Sequence, residues 1–238
     1  MMSGMCLALD GQIGDAYRLT RAVGKFCYAV KIHNLFDSEG GRRIVGALSN
    51  AGAKRVWVDA KLHDSPKAAT KRAVAIVSYG VQIITVHASG GVPMMKAVVD
   101  RLNKDFGPAS VSVWAITLLT SLDLATIARA YTKGRTPQEI VTELALMAKE
   151  AGVHGVVCSP QEVRMLSKHP GLKGLDLITP GVRSLGASIG DQKRIGTPKQ
   201  AIRDGADFIV VGSQVTEAED PVTAFNAVAA EIGMDFKQ

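Results

Sequence analysis

The chain has 238 residues, of which 47% are hydrophobic and 21% charged. That is the make-up of a folded globular protein, and it excludes a disordered tail, a linker or a coiled rod. The net charge of +6 comes from 28 Lys and Arg against 22 Asp and Glu, with 5% aromatic residues. No run of like charges concentrates it into the basic stripe of a nucleic-acid binder, so it reads as a solvated surface or as attraction to a small anionic substrate.

The three cysteines, Cys6, Cys27 and Cys158, lie far apart in apolar segments without a C-x-x-C pair. Neither a disulfide framework nor a structural zinc site is indicated, and buried thiols in a reducing cytoplasm are expected. The opening MMSGMCLALDG lacks a positive n-region and meets Asp10 early, so it is not expected to act as a secretory signal. The longest uncharged run, Phe106 to Leu122, is studded with Gly, Pro, Ser and Thr and is short for a bilayer span, so no membrane partner is expected.

In chain order, short β-branched or apolar runs alternate with longer amphipathic stretches, the pattern of a parallel sheet covered by helices. Strands are predicted at Cys6–Leu9, Phe26–Lys31, Arg55–Lys61, Ile83–His87, Val111–Thr117, Val153–Ser159, Leu175–Thr179 and Phe208–Gly212. Most are continuously apolar, as strands buried on both faces are. Helices are predicted over Gly40–Ala51, Pro66–Tyr79, Pro93–Asn103, Pro137–Ala151, Thr197–Asp204 and Pro221–Ile232. Turn chemistry announces several helix starts: Ser65-Pro66, Thr136-Pro137, Ser159-Pro160, Thr197-Pro198 and Asp220-Pro221 each pair a capping residue with Pro. Eight strand-helix units without a composition break predict a single-domain (β/α)8 barrel over residues 1–238. An open doubly wound sheet is the alternative, but Gly40-Gly41 and Gly90-Gly91 lack the G-x-G-x-x-G spacing it would need.

In a barrel, chemistry belongs at the C-terminal strand ends. Polar residues gather there: Asp10 after strand 1, Lys31 on strand 2, Asp59 and Lys61 on strand 3, His87 on strand 4, Thr117 on strand 5, Thr179-Pro180 after strand 7 and Gly212-Ser213 after strand 8. Asp59 and Lys61 are two apart, so both point to one face of the strand. An isolated Asp-Lys pair would fit a buried salt bridge that merely offsets its own desolvation. Lys31 and Asp10 change that balance, because four converging charges of both signs suit a catalytic constellation.

The segment Val58-Asp59-Ala60-Lys61-Leu62-His63-Asp64 resembles the D-x-K-x-x-D signature of the orotidine 5'-phosphate decarboxylase family. The resemblance extends through Leu7-Ala8-Leu9-Asp10, Val30-Lys31-Ile32, Ala115 to Ser121, Thr179-Pro180-Gly181-Val182-Arg183, Asp191-Gln192-Lys193-Arg194 and Gly205 to Gly212. It implies decarboxylation of orotidine 5'-monophosphate to UMP without metal or organic cofactor. It also implies roles: Lys61 stabilises and protonates the carbanion, Asp59 stresses the substrate carboxylate, and Lys31 and Asp10 bind the ribose. By the same resemblance Thr117 meets the pyrimidine, Pro180 lies at the substrate, and Arg183, Gln192, Gly212 and Ser213 hold the phosphate.

The resemblance also implies that Asp64 crosses the interface of a homodimer to complete the partner's Lys-Asp-Lys-Asp network; in a lone barrel it would serve only as a cap for the next helix. The Gly- and Ser-containing segment 181–195 suits a lid that closes over substrate. Lys193 and Arg194 are read as surface or loop-anchoring charges, and His63 and His87 as structural. One departure stands out: the family usually follows the last-strand glycine with Arg, and this chain has Ser213. Two alternatives remain open, a metal-dependent sugar-phosphate decarboxylase or aldolase of the same barrel group, and a catalytically silent barrel that binds a nucleotide or phosphate. No room is expected for a phosphoribosyltransferase half, so another chain would make orotidylate.

Overall fold

The computed structural model describes residues 4–131, 134–187 and 194–234. Eight parallel strands close into a barrel in sequence order: β1 (Gly4–Ala8), β2 (Ala29–Ile32), β3 (Val56–Leu62), β4 (Ile83–His87), β5 (Ser112–Ile116), β6 (Gly155–Val157), β7 (Asp176–Thr179) and β8 (Phe208–Val211), with β8 paired back to β1. Closure leaves no open sheet edge. The helices around it are α1 (Ile13–Val23), α2 (Asn34–Ser38), α3 (Gly41–Asn50), α4 (Pro66–Val77), α5 (Gly91–Phe106), α6 (Leu124–Ala130), α7 (Pro137–Glu150), α8 (Pro160–Ser167), α9 (Pro198–Asp204), α10 (Ser213–Thr216) and α11 (Pro221–Glu231). Among the described residues no helix is long and apolar enough to cross a membrane.

The helix starts follow the capping chemistry. Thr136 and Ser159 each form a reciprocal capping box, with Glu139 and Glu162 respectively, while Ser65, Thr197 and Asp220 accept from first-turn backbone N–H groups. At the other end, Gly205 stops α9 in the left-handed conformation, φ 109°, that glycine adopts without a Cβ clash.

Strand alternation divides the apolar residues into two layers. Met5 and Leu7, Val56 and Val58, and Val113 and Ala115 pack outward under the helices. Cys6 and Ala8, Ala29, Trp57, Ile83, Trp114, Ile178, Phe208 and Val210 fill the barrel. Trp57 and Trp114 meet edge to face with ring centroids 4.8 Å apart, and Tyr28 stacks on Phe208 at 3.9 Å, closing the N-terminal end. Such aromatic pairs contribute about 0.5–1.5 kcal/mol each beyond their buried area. With that end plugged, the opening lies at the C-terminal strand ends.

The inward parity fixed by these fillers decides which later residues face the mouth. Trp57 predicts Asp59 and then Lys61 on the inner face, Ala8 predicts Asp10, and Ala29 predicts Lys31. The register brings them level: Ala8 pairs with Lys31, and Lys31 with Trp57. The Lys31 stem therefore starts one inward step below Asp10 and Asp59 and reaches up between them.

Candidate active site

At the mouth, Asp59 sits between two ammonium groups. Its Oδ2 accepts from Lys61 Nζ at 2.6 Å and from Lys31 Nζ at 3.5 Å, while Lys31 Nζ also donates to Asp10 Oδ1 at 3.3 Å. Asp59 Oδ1 accepts from the hydroxyl of Thr85 at 2.7 Å. Burial alone would raise the Asp59 carboxyl, but the charges of Lys31 and Lys61 and the hydrogen bonds from Lys61 and Thr85 outweigh it, and the group lies below its ordinary range. The row Asp10, Lys31, Asp59 and Lys61 thus sets two side chains of each formal sign in alternation.

Lys61 carries a backbone irregularity as well as a side chain. Its φ is +47°, in the left-handed region, at a cost of about 1–2 kcal/mol for a residue with a Cβ. From Val58 to Leu62 along β3 the partner strand advances only from Ile84 to Val86, so the register shifts around Lys61. The Lys61 N–H leaves the ladder and donates to Thr85 Oγ1 at 3.0 Å. His33 Nδ1 lies 2.8 Å from the Asp59 carbonyl oxygen, tying the same turn to the residue after β2.

A cavity of about 590 Å³ opens over this row, within the roughly 300–1,000 Å³ typical of small-molecule sites. Trp57 forms its floor, with Ile116 and Val157 beside it. Thr120 and Ser121 line one side, and Pro180, Gly181, Arg183, Gly212 and Ser213 another. Arg183 donates to the Val182 carbonyl at 2.9 Å and to Ser213 Oγ at 3.3 Å, so Ser213 lies against the guanidinium at this end. Asp15 and Glu217 also reach the rim. The cavity thus combines an apolar floor, a row of alternating charges and a guanidinium at one end, a layout suited to an anionic ring compound. Among the described residues there is no grouping of three or more His, Cys, Asp or Glu side chains able to hold a metal ion.

Asp10, Lys31, Asp59, Lys61, Pro180, Arg183, Gly212 and Ser213 therefore converge on one cavity. Thr117 does not line it. Its parity is opposite to that of inward-facing Trp114 and Ile116, and its hydroxyl donates to the Val157 carbonyl at 2.9 Å. Three residues further along, Thr120 does line the cavity. Asp64 stands outside the cavity, exposed on the turn after β3, where its Oδ1 accepts the Ser65 N–H at 2.6 Å. Gln192 and Lys193, with the rest of the 188–193 stretch of the expected lid, lie outside the described residues.

Arg194 is buried rather than a surface charge. It pairs with buried Glu162 and donates to the carbonyls of Leu118 at 3.0 Å and Leu119 at 3.2 Å, which makes it an anchor. His63 and His87 face each other with ring centroids 5.6 Å apart, outside the cavity lining. Thr85 was not foreseen, although its parity with inward Ile83 on β4 marked it for the interior beside Asp59.

Comparison with known proteins agrees with the barrel fold and gives the chain a family. Residues 3–228 match the family described as orotidine 5'-phosphate decarboxylase / HUMPS. A protein from Pseudoalteromonas translucida named orotidine 5'-phosphate decarboxylase is 45% identical over 177 residues, 74% of this chain and 73% of that one. One of the same name from Nitrosococcus oceani is 36% identical over 231 residues, 97% of each chain. Among solved structures, the orotidine 5'-phosphate decarboxylase of Lactobacillus acidophilus superposes with a TM-score of 0.80 at 29% identity, covering 97% of this chain and 99% of that one.

Proposed function

Because the chain belongs to the orotidine 5'-phosphate decarboxylase / HUMPS family, we infer that Lys61 is the proton donor in the decarboxylation of orotidine 5'-monophosphate. The enzyme converts orotidine 5'-monophosphate to UMP, a step of pyrimidine biosynthesis. The observation that carries the assignment of residues is Asp59 held between Lys31 and Lys61 in the lining of a cavity that also carries Arg183.

In this reading the substrate carboxylate lies against Asp59. Two carboxylates in a partly enclosed site repel, and departure of neutral CO2 relieves the repulsion. The electron pair of the broken carbon–carbon bond stays on the ring carbon, where the Lys61 ammonium stabilises it and then transfers its proton to give UMP. Asp59 holds Lys61 at its post, and solvent returns the proton to the Lys61 amine. Lys31 and Asp10 bind the ribose hydroxyls. Arg183, with backbone N–H groups at Gly212 and Ser213, meets the phosphate, and Gln192 joins it. Phosphate binding remote from the reacting carbon contributes to holding the ring in place.

The working form in this reading is a homodimer, with Asp64 of each protomer reaching the other's Lys61. Its exposed position on the turn directly after β3 supports that assignment. Three buried free thiols support a reducing cytoplasm as its location. Incubation with orotidylate tests the activity: CO2 and UMP should appear in equal amounts, at a rate unchanged by a metal chelator. No UMP would point to one of the two alternatives, and chelator-sensitive activity on a sugar phosphate would then favour the sugar-phosphate lyases of the same barrel group over a silent barrel.

A further inference from the structure

Arg194 and Glu162 are 5% and 1% exposed, and a buried ion pair is costly unless hydrogen bonds satisfy both partners. Here most of that need is met, through both terminal guanidinium nitrogens, although the buried Arg194 Nε–H has no partner among the described residues. Glu162 Oε1 accepts from Arg194, and its Oε2 accepts the Ser159 N–H at 2.8 Å, so the carboxylate is fixed to the start of α8. The other arm of the guanidinium donates to two successive carbonyls, Leu118 at 3.0 Å and Leu119 at 3.2 Å. Those carbonyls immediately precede Thr120 and Ser121, which line the cavity. Two residues after Arg194, the Gly196 carbonyl accepts the Arg183 N–H at 2.9 Å, and Val182 bridges to Gly196. One short segment thus touches both walls of the cavity, the wall of Thr120 and Ser121 through a side chain and the wall of Arg183 through its backbone.

We propose that Arg194, held by Glu162, is a positioning residue that sets the Leu118–Ser121 wall relative to the Arg183 wall for decarboxylation. The proposal rests on the functional reading above. The planar fork is what the geometry requires, since one guanidinium spans a carboxylate and two carbonyls, whereas an ammonium is a point donor. Loss of the fork leaves the Val182–Gly196 bridge intact, so the phosphate end keeps its shape while the opposite wall loses its register. The effect should therefore fall on kcat more than on KM.

The test uses two variants of the full chain, Arg194→Lys and the double substitution Arg194→Met with Glu162→Leu. The second removes both charges and so leaves no buried ion unpaired. Each is assayed for orotidylate kcat and KM and for its melting temperature. A folded Arg194→Lys protein with kcat reduced on the order of 10²-fold, as a misplacement of about 1 Å produces, and a smaller change in KM supports the proposal. Wild-type kcat and KM in both variants overturns it, as does a loss of activity that only tracks loss of folded protein. A wild-type chain inactive on orotidylate would overturn the functional reading itself, and with it this proposal.

Discussion

Thr85 Oγ1 donates to Asp59 Oδ1 at 2.7 Å and accepts the Lys61 N–H at 3.0 Å, so one buried hydroxyl holds both the carboxylate and the irregular turn of the central motif. Thr85→Val keeps the shape and removes both bonds. Kcat should fall on the order of tenfold, and unfolding free energy by about 2 kcal/mol, the usual loss for a buried hydrogen bond to a charged group. Thr85→Ser should retain most of both. The Asp59 carboxyl is held below its ordinary range, so its contribution to stability is present above the unfolded carboxylate pKa and disappears as pH falls through the folded one. In Thr85→Val, acid unfolding should begin at a higher pH, measured by circular dichroism; an unshifted acid transition would show that Thr85 does not support Asp59.

Asp64 carries the expectation of a shared site. Asp64→Asn and Lys61→Ala should each be inactive alone, and after subunit exchange the mixture should regain roughly a quarter of the wild-type activity, because half of randomly paired dimers are hybrids with one intact site each. If Asp64 only orders the turn before α4, through its bond to the Ser65 N–H, the mixture will show no more than the sum of its parents.

Ser213 lies against Arg183 at the anion end and carries no charge of its own. Ser213→Arg adds a second guanidinium there and should lower KM for orotidylate on the order of tenfold. An unchanged or raised KM would mean that the phosphate is gripped away from this corner.

At the opposite end of the barrel, burial and the neighbouring charge of Asp207 push the Asp176 carboxyl up to about 6. A carboxyl with a raised folded pKa binds more protons folded than unfolded across the interval between the two values, so stability falls as pH rises through that window. Asp176→Asn should raise the melting temperature at pH 8 and leave it nearly unchanged at pH 4, with kcat unaffected because the site lies at the other mouth. An equal shift at both pH values would contradict this origin.

The barrel was legible because most strands are apolar runs and several helices begin with a capping residue followed by Pro. β4 spans the predicted Ile83–His87, and the predicted β2 differs because Gly24–Phe26 forms a 3-10 turn before Ala29 enters the sheet. Helix α1 carried no such start signal: Gln12 at its N-cap makes no side-chain capping bond. The charged row was legible from period-two spacing. The same rule, applied from Trp114, would have turned attention from Thr117 to its neighbours. For Arg194 an anchoring role was one of two readings, but its burial was not legible, since its carboxylate and carbonyl partners lie far away in sequence and nothing local distinguishes it from Lys193.

The most direct test of the account is the loss of orotidylate absorbance catalysed by wild type and by Lys61→Ala, each shown to be folded. The account predicts rapid chelator-insensitive loss with the wild type and none above background with Lys61→Ala; a Lys61→Ala protein that decarboxylates orotidylate at the wild-type kcat would contradict it.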